Sequence, residues 1–92
     1  EMALGVVLAL KAAGMKPGED VQIVAIDGQK EAIEGIIAGE INCIATCSPR
    51  FGKAAFDAME TYLSGEELPE KIINEETLIT ADNAEEQLEF GF

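Results

Sequence analysis

The apolar residues of this chain fall into two kinds of run. Some recur at helical spacing, and others form short β-branched stretches bounded by Gly, Asp or Pro. The first kind predicts helices and the second predicts strands. In chain order, the predicted elements are a helix over residues 2–13, a strand over 21–26, a helix over 29–38, a strand over 41–47, a helix over 48–63, strand-like residues at 72–73 and 78–80, and a last helix through about residue 89 with Asp82 or Asn83 as its cap.

This order of elements predicts an α/β fold with right-handed βαβ units on a parallel sheet. The strand over 21–26 is apolar at nearly every position, which is typical of a parallel strand buried on both faces. The helix over 2–13 is apolar nearly all round, so we expect it to be buried on more than one side. A doubly wound sheet has more strands than these residues supply. The pattern therefore predicts one portion of a larger α/β body, with further strands upstream or in another chain.

Composition narrows the possible functions. Eighteen acidic residues against six basic ones give a net charge of −12, which disfavours a nucleic-acid partner because that affinity depends on Lys and Arg. The chain has no histidine, so imidazole bases, Cys-His pairs and His-ligated metals are excluded. It also has no glycine-rich phosphate-binding loop and no apolar stretch long enough to span a membrane. We expect a protein that is not an enzyme and has no metal or cofactor.

One candidate binding residue stands at the end of the first predicted strand. Ligands of open parallel sheets bind outside the carboxyl ends of the strands, and Asp27 follows the strand directly. Gly28 after it allows a sharp turn or the close approach of a ligand. The Asp27 carboxylate could accept hydrogen bonds from the hydroxyls of a sugar. The alternatives are that it caps the next helix or forms the turn.

Two weaker candidates follow the second predicted strand, Cys47 at its end and Arg50 at the start of the next helix. Cys43 and Cys47 would share a strand face about 13 Å apart, too far for a disulfide between them. Each cysteine is interpreted as a small buried hydrophobe, with a disulfide to an absent segment or a reactive thiol as alternatives. Arg50 either contacts a ligand or pairs with local acids.

The segments EMALGVVLALKAAG, VQIVAIDG, EAIEGIIAGEINCIATCSP and LITADNAEE, in this order, resemble the C-terminal part of periplasmic sugar-binding proteins of the ribose and galactose type. In that family, two α/β lobes close on a monosaccharide, either a pyranose or a furanose, and deliver it to an ABC importer. The resemblance implies that Asp27 binds sugar hydroxyls. Cys47 stands where the family commonly has Gln or Asn, a departure that weakens a hydrogen bond there. The sequence Cys47-Ser48-Pro49 is similar to the one found in the galactofuranose-binding branch of the family.

The resemblance also implies how the chain is divided. Residues 1–47 would belong to the C-terminal lobe, 48–68 to a helix of the N-terminal lobe after a hinge crossing, and 69–92 to the returning hinge, a strand and the C-terminal helix. The helix of the other lobe would then lack a complete partner and expose an apolar face. The implied location is periplasmic or extracellular, with a lipoprotein anchor through an absent N-terminus as one option. The alternative is the effector-binding core of a lactose-repressor-type transcription regulator, which shares this fold.

Overall fold

A computed structural model describes all of residues 1–92, and its elements follow the predicted order. The fold class is α/β, as predicted. The helices lie close to their predicted bounds. The first two strands are shorter than predicted, because only part of each apolar run finds a hydrogen-bonded neighbour, whereas the strand at residues 78–80 has its predicted bounds. The elements are α1 (Met2–Ala12), β1 (Val24–Asp27), α2 (Lys30–Ile37), β2 (Cys43–Thr46), α3 (Gly52–Leu63), β3 (Leu78–Thr80) and α4 (Ala84–Gln87), the last followed by a 3-10 turn over Leu88–Phe90.

The three strands form one sheet in the order β1-β2-β3. Strands β1 and β2 are parallel, with Asp27 opposite Thr46, whereas β3 runs antiparallel to β2. The prediction of an all-parallel sheet is therefore wrong for the third strand. The reason lies in the connection: the chain leaves β2 after Thr46 and rejoins the sheet beside the same residue, where the Thr46 N–H donates to the Thr77 carbonyl at 2.9 Å. A segment that leaves and returns at one end of a strand must run back along it.

The core lies between this sheet and helix α2. It is built mainly of isoleucines, and Ile44 of the central strand is completely buried, with Ile33 of α2 and Ile79 of β3 each 1% exposed. The helical spacing of Ile33 and Ile36 puts both on the face that packs against the sheet. Gly35 allows a close approach here, because a Cβ at this position would lie 3.0 Å from Cδ1 of Ile41. The helical spacing of Ile33 and Ile36 in the sequence therefore agrees with the face of α2 that is buried.

Several apolar surfaces remain exposed. On β1, Val24 and Ile26 are 75% and 69% exposed, so the expected burial of this strand on both faces is not seen. In α1 only Val7 is buried, and the expectation of burial on more than one side is likewise not met. The reason is the same for both elements: only one face of each finds a partner within these residues. A strand predicted at residues 72–73 is also absent, because Ile72 and Ile73 have no strand beside them and remain exposed.

Helix α3 stands apart from the core. It contains no buried residue, and its apolar side chains Phe51, Met59 and Leu63 are all more than half exposed. The unpartnered apolar face expected for this helix is thus present. The Cα radius of gyration is 17.2 Å, against about 12 Å for a compact chain of this length. The elongation shows that α3 and its connections reach away from the α2 layer.

The last helix begins without a side-chain cap. Asn83 is the N-cap residue of α4, as predicted, but neither its side chain nor that of Asp82 makes a capping hydrogen bond to the helix. Instead, Asn83 Oδ1 accepts from the Thr80 N–H at 2.8 Å, and its Nδ2 donates to the Leu78 carbonyl at 3.0 Å. The Asn83 side chain therefore stabilises the turn that joins β3 to α4, because its amide binds the backbone of β3 and not that of the helix.

Candidate functional site

The backbone at the end of β1 is strained. Asp27 has φ of 105° and is the only residue other than glycine with positive φ, and Gly28 follows with φ of 98°. A side chain in such a conformation costs about 1–3 kcal/mol and is kept only where surrounding structure enforces it. At Gly28 a Cβ would also lie 3.4 Å from Cγ2 of Thr46. The predicted sharp turn at Asp27-Gly28 is present, and it brings the backbone against β2.

The Asp27 carboxylate has no partner within the chain. Asp27 is exposed and appears in none of the side-chain hydrogen bonds or ion pairs of the structure. The N-cap residue of α2 is Gln29, so the helix-capping alternative for Asp27 is wrong. Gln29 itself makes no side-chain capping hydrogen bond to the helix. The carboxylate is therefore free to accept hydrogen bonds from a ligand.

A groove with a volume of about 360 Å³ opens beside this turn. It lies between the ends of β1 and β2, the segment that leads into β3, and the last residues of the chain. Asp27 and Arg50 both line it, which brings two of the three predicted candidates to one place. The Arg50 guanidinium forms no ion pair and donates to the Gly91 carbonyl at 3.1 Å, so the expected pairing of Arg50 with local acids is not seen.

Cys47 lies beside this groove without lining it. It follows β2, its thiol is free and the residue is exposed, so the interpretation as a small buried hydrophobe is wrong for Cys47. The strand ends one residue earlier than predicted, and Cys47 therefore leaves the sheet. Its backbone N–H still donates to the Asp27 carbonyl at 2.8 Å. Cys43 is half-buried within β2, and its thiol is also free.

One carboxylate of the groove was missed by the sequence reasoning. Glu76 accepts from the Thr46 hydroxyl at 2.6 Å and from the Ser48 N–H at 3.3 Å. It precedes β3, so it reaches the end of β2 only because β3 is antiparallel. No spacing or motif in the sequence signals that contact, since Glu76 is one of many acids in the second half of the chain.

The polar groups of the groove suit a neutral ligand rich in hydroxyls. Three carboxylates line the groove, those of Asp27, Glu75 and Glu76. Arg50 is the only basic side chain that lines it. Carboxylates accept hydrogen bonds from hydroxyls, and the guanidinium donates to oxygen. No three His, Cys, Asp or Glu side chains are arranged to hold a metal ion. No helix has the length and apolar character needed to cross a membrane.

No protein-family model matches this chain. Its sequence is nevertheless similar to those of individual α/β sugar-binding proteins. The galactofuranose-binding protein YtfQ of Escherichia coli strain K12 is 37% identical over 90 residues, which cover 97% of this chain and 28% of that protein. The chain thus spans less than a third of the length of this relative.

Two solved structures are also similar to this chain. The periplasmic binding protein component of the arabinose ABC transporter from Shewanella sp. ANA-3, bound to α- and β-L-arabinofuranose, is 38% identical with a TM-score of 0.83, over 98% of this chain and 30% of that chain. A Mycobacterium smegmatis protein in complex with β-D-fucofuranose is 32% identical with a TM-score of 0.87, over 96% and 29%. The resemblance to periplasmic sugar-binding proteins is confirmed. These relatives are binding proteins, and they lend no support to the repressor alternative.

Proposed function

We propose that this chain is part of an extracytoplasmic solute-binding protein, which captures a monosaccharide and delivers it to an ABC importer. The observation that carries the proposal is the strained Asp27-Gly28 turn, which holds an unpaired carboxylate at the carboxyl end of a parallel strand. Strain of this kind is retained where the orientation of a side chain serves function. The relatives that bind sugars share this fold over nearly the whole chain.

The ligand is a sugar in its furanose form. The similar proteins named above are a galactofuranose-binding protein, an arabinose transporter component bound to arabinofuranose and a protein in complex with fucofuranose. In the groove, Asp27 accepts hydrogen bonds from ring hydroxyls, and Arg50 donates to a sugar oxygen when its bond to Gly91 opens. Cys47 makes at most a weak contact, since a thiol is a poor donor and acceptor. A sugar phosphate is disfavoured as a ligand, because the groove is lined by three carboxylates and only one guanidinium.

The chain forms the C-terminal part of a two-lobe protein. Residues 1–47 belong to the C-terminal lobe, 48–68 to a helix of the N-terminal lobe, and 69–92 to the returning connection, its strand and the last helix. The bare apolar face of α3 supports this division, because that helix has no buried residue against the α2 layer. The exit and return of the chain at Thr46 and Thr77 support it too, because both connections pass through one point. The protein acts in the periplasm or outside the cell, free or anchored as a lipoprotein.

Calorimetry tests the proposal directly. The longer polypeptide of which this chain is a part (the full-length protein) is titrated with L-arabinose, D-galactose, D-fucose and D-fructose, each equilibrated in water so that furanose forms are present. We expect saturable binding of at least one of these sugars. Absence of binding to all four would contradict the proposed function.

The isolated 92-residue chain is expected to bind no sugar measurably. Its groove is open, and a sugar held on one side only loses too little surface from water to offset the entropy of association. The same titration, carried out on this chain after circular dichroism has shown that it is folded, checks the expectation. Binding as tight as that of the full-length protein would show that the other lobe contributes nothing to the site.

A further inference from the structure

A single carboxylate joins the two chain connections at the end of β2. Glu76 Oε2 accepts from the Thr46 hydroxyl at 2.6 Å, and its Oε1 accepts from the Ser48 N–H at 3.3 Å. The Thr46 oxygen in turn accepts from the Thr77 N–H at 2.7 Å. Both oxygens of the carboxylate are therefore used, one on each residue that flanks Cys47. The segment leaving β2 and the segment entering β3 are tied together by side chains as well as by the sheet.

This contact continues to the Asp27 turn through Thr46. Thr46 is the partner of Asp27 in the parallel ladder, and its methyl group would lie 3.4 Å from a Cβ placed on Gly28. The next residue, Cys47, donates its N–H to the Asp27 carbonyl at 2.8 Å. The strained Asp27-Gly28 turn therefore contacts Thr46 and Cys47, and Glu76 accepts hydrogen bonds from Thr46 and Ser48, the residues on either side of Cys47.

We propose that Glu76 is a positioning residue for the sugar site. It lines the groove, but both of its carboxylate oxygens are taken by Thr46 and Ser48, and by fixing these residues it keeps the Asp27 turn in its strained conformation instead of contacting the sugar. This proposal rests on the proposed function, because it assigns Asp27 to a sugar. A carboxylate is required because its two acceptors serve two donors. A glutamine would offer one acceptor, and its NH₂ group would face either the Ser48 N–H or the Thr46 hydroxyl. The short bond to Thr46 is charge-assisted, which strengthens it relative to a neutral pair.

The test uses Glu76→Gln in the full-length protein, with two measurements. The first is amide hydrogen exchange without sugar, followed at Cys47, whose N–H is bonded to Asp27 and not to Glu76. We expect exchange at Cys47 to become about fivefold faster, as follows from losing one hydrogen bond of ordinary strength. The second is calorimetry with L-arabinose or whichever of the four sugars binds most tightly. We expect about fivefold weaker binding.

Two further variants make the test specific. Glu70→Gln removes the same charge in the same connecting segment, where Glu70 has no hydrogen bond, and it should leave both measurements unchanged. Thr46→Val removes the hydroxyl while keeping the β-branched shape. Combined with Glu76→Gln, it should cost less than the sum of the two single changes, because both break the same bond.

The outcomes separate the possible roles of Glu76. Weaker binding with unchanged exchange at Cys47 would mean that Glu76 contacts the sugar directly, and this would overturn the positioning role. Faster exchange at amides throughout the domain would mean that Glu76 contributes to overall stability. This result would also overturn the positioning role. If the wild-type protein bound none of the sugars, the proposed function would fail, while exchange at Cys47 would still decide whether Glu76 holds the turn.

Discussion

Replacing Asp27 by Asn in the full-length protein is expected to weaken sugar binding by about 10- to 150-fold, which corresponds to roughly 1.5–3 kcal/mol for a hydrogen bond to a charged group. Asparagine is the informative substitution because it tolerates the positive φ of this position and keeps the shape of the side chain. What it loses is the charge and one acceptor oxygen. Calorimetry at a single ionic strength measures the change.

Two controls accompany this substitution. Asp82→Asn makes the same chemical change at an exposed carboxylate outside the groove, and the affinity should not change. Asp27→Gly removes the carboxylate but relieves the strain at φ of 105°, so binding should be lost while the melting temperature holds or rises. If the Asp27→Asn variant bound sugar with unchanged affinity, the charge of Asp27 would make no contribution to sugar binding.

Replacing Ile44 by Ala is expected to lower the free energy of unfolding by about 2–5 kcal/mol. Ile44 is completely buried at the centre of the sheet, where it pairs with Ala25 on β1 and Ile79 on β3. Truncation leaves a cavity between all three strands and α2, and a layer built around so few isoleucines has little else to fill it. Native-state hydrogen exchange of the strand amides measures the loss even in a protein with two lobes.

Ile44→Val provides a graded comparison. It removes a single methylene and keeps the β-branched shape, so the expected loss is about 0.5–1.5 kcal/mol. A loss below 1 kcal/mol in Ile44→Ala would mean that the sheet is held mainly by contacts other than those with α2. Equal losses in the two variants would point to a change in backbone pairing instead of a cavity.

The part of this fold that is predictable from sequence is the part that depends on near neighbours. Helix α2 is correctly predicted because Ile33 and Ile36 have helical spacing and because that one stripe is what the core buries. The end of β1 is predictable for a similar reason: a β-branched run stops at Asp27-Gly28. Asp27 could be named as a candidate from its place after the strand. That its backbone would be strained and its carboxylate unpaired was not visible in the residue pattern.

The errors occur where distant segments meet. The run at residues 72–73 has the composition of a strand, but strand pairing requires a neighbour, and none lies beside it. The apolar character of α1 and β1 predicts burial on all sides, but burial depends on how much partner surface is present. Pairing of Arg50 with an acid was one expectation, yet in the fold its guanidinium donates to the Gly91 carbonyl.

The sequence by its own patterning determines the order of helices and strands, the apolar stripe of α2 and the candidate at Asp27, because these follow from periodicity and residue type over a few positions. Tertiary structure alone decides that β3 is antiparallel and that Glu76 meets Thr46, a residue 30 positions earlier. Both results depend on where the segment that carries α3 rejoins the sheet. The position at which this segment rejoins the sheet depends on the closure of a long connection at the end of β2. It cannot be deduced from the spacing of residues along the chain.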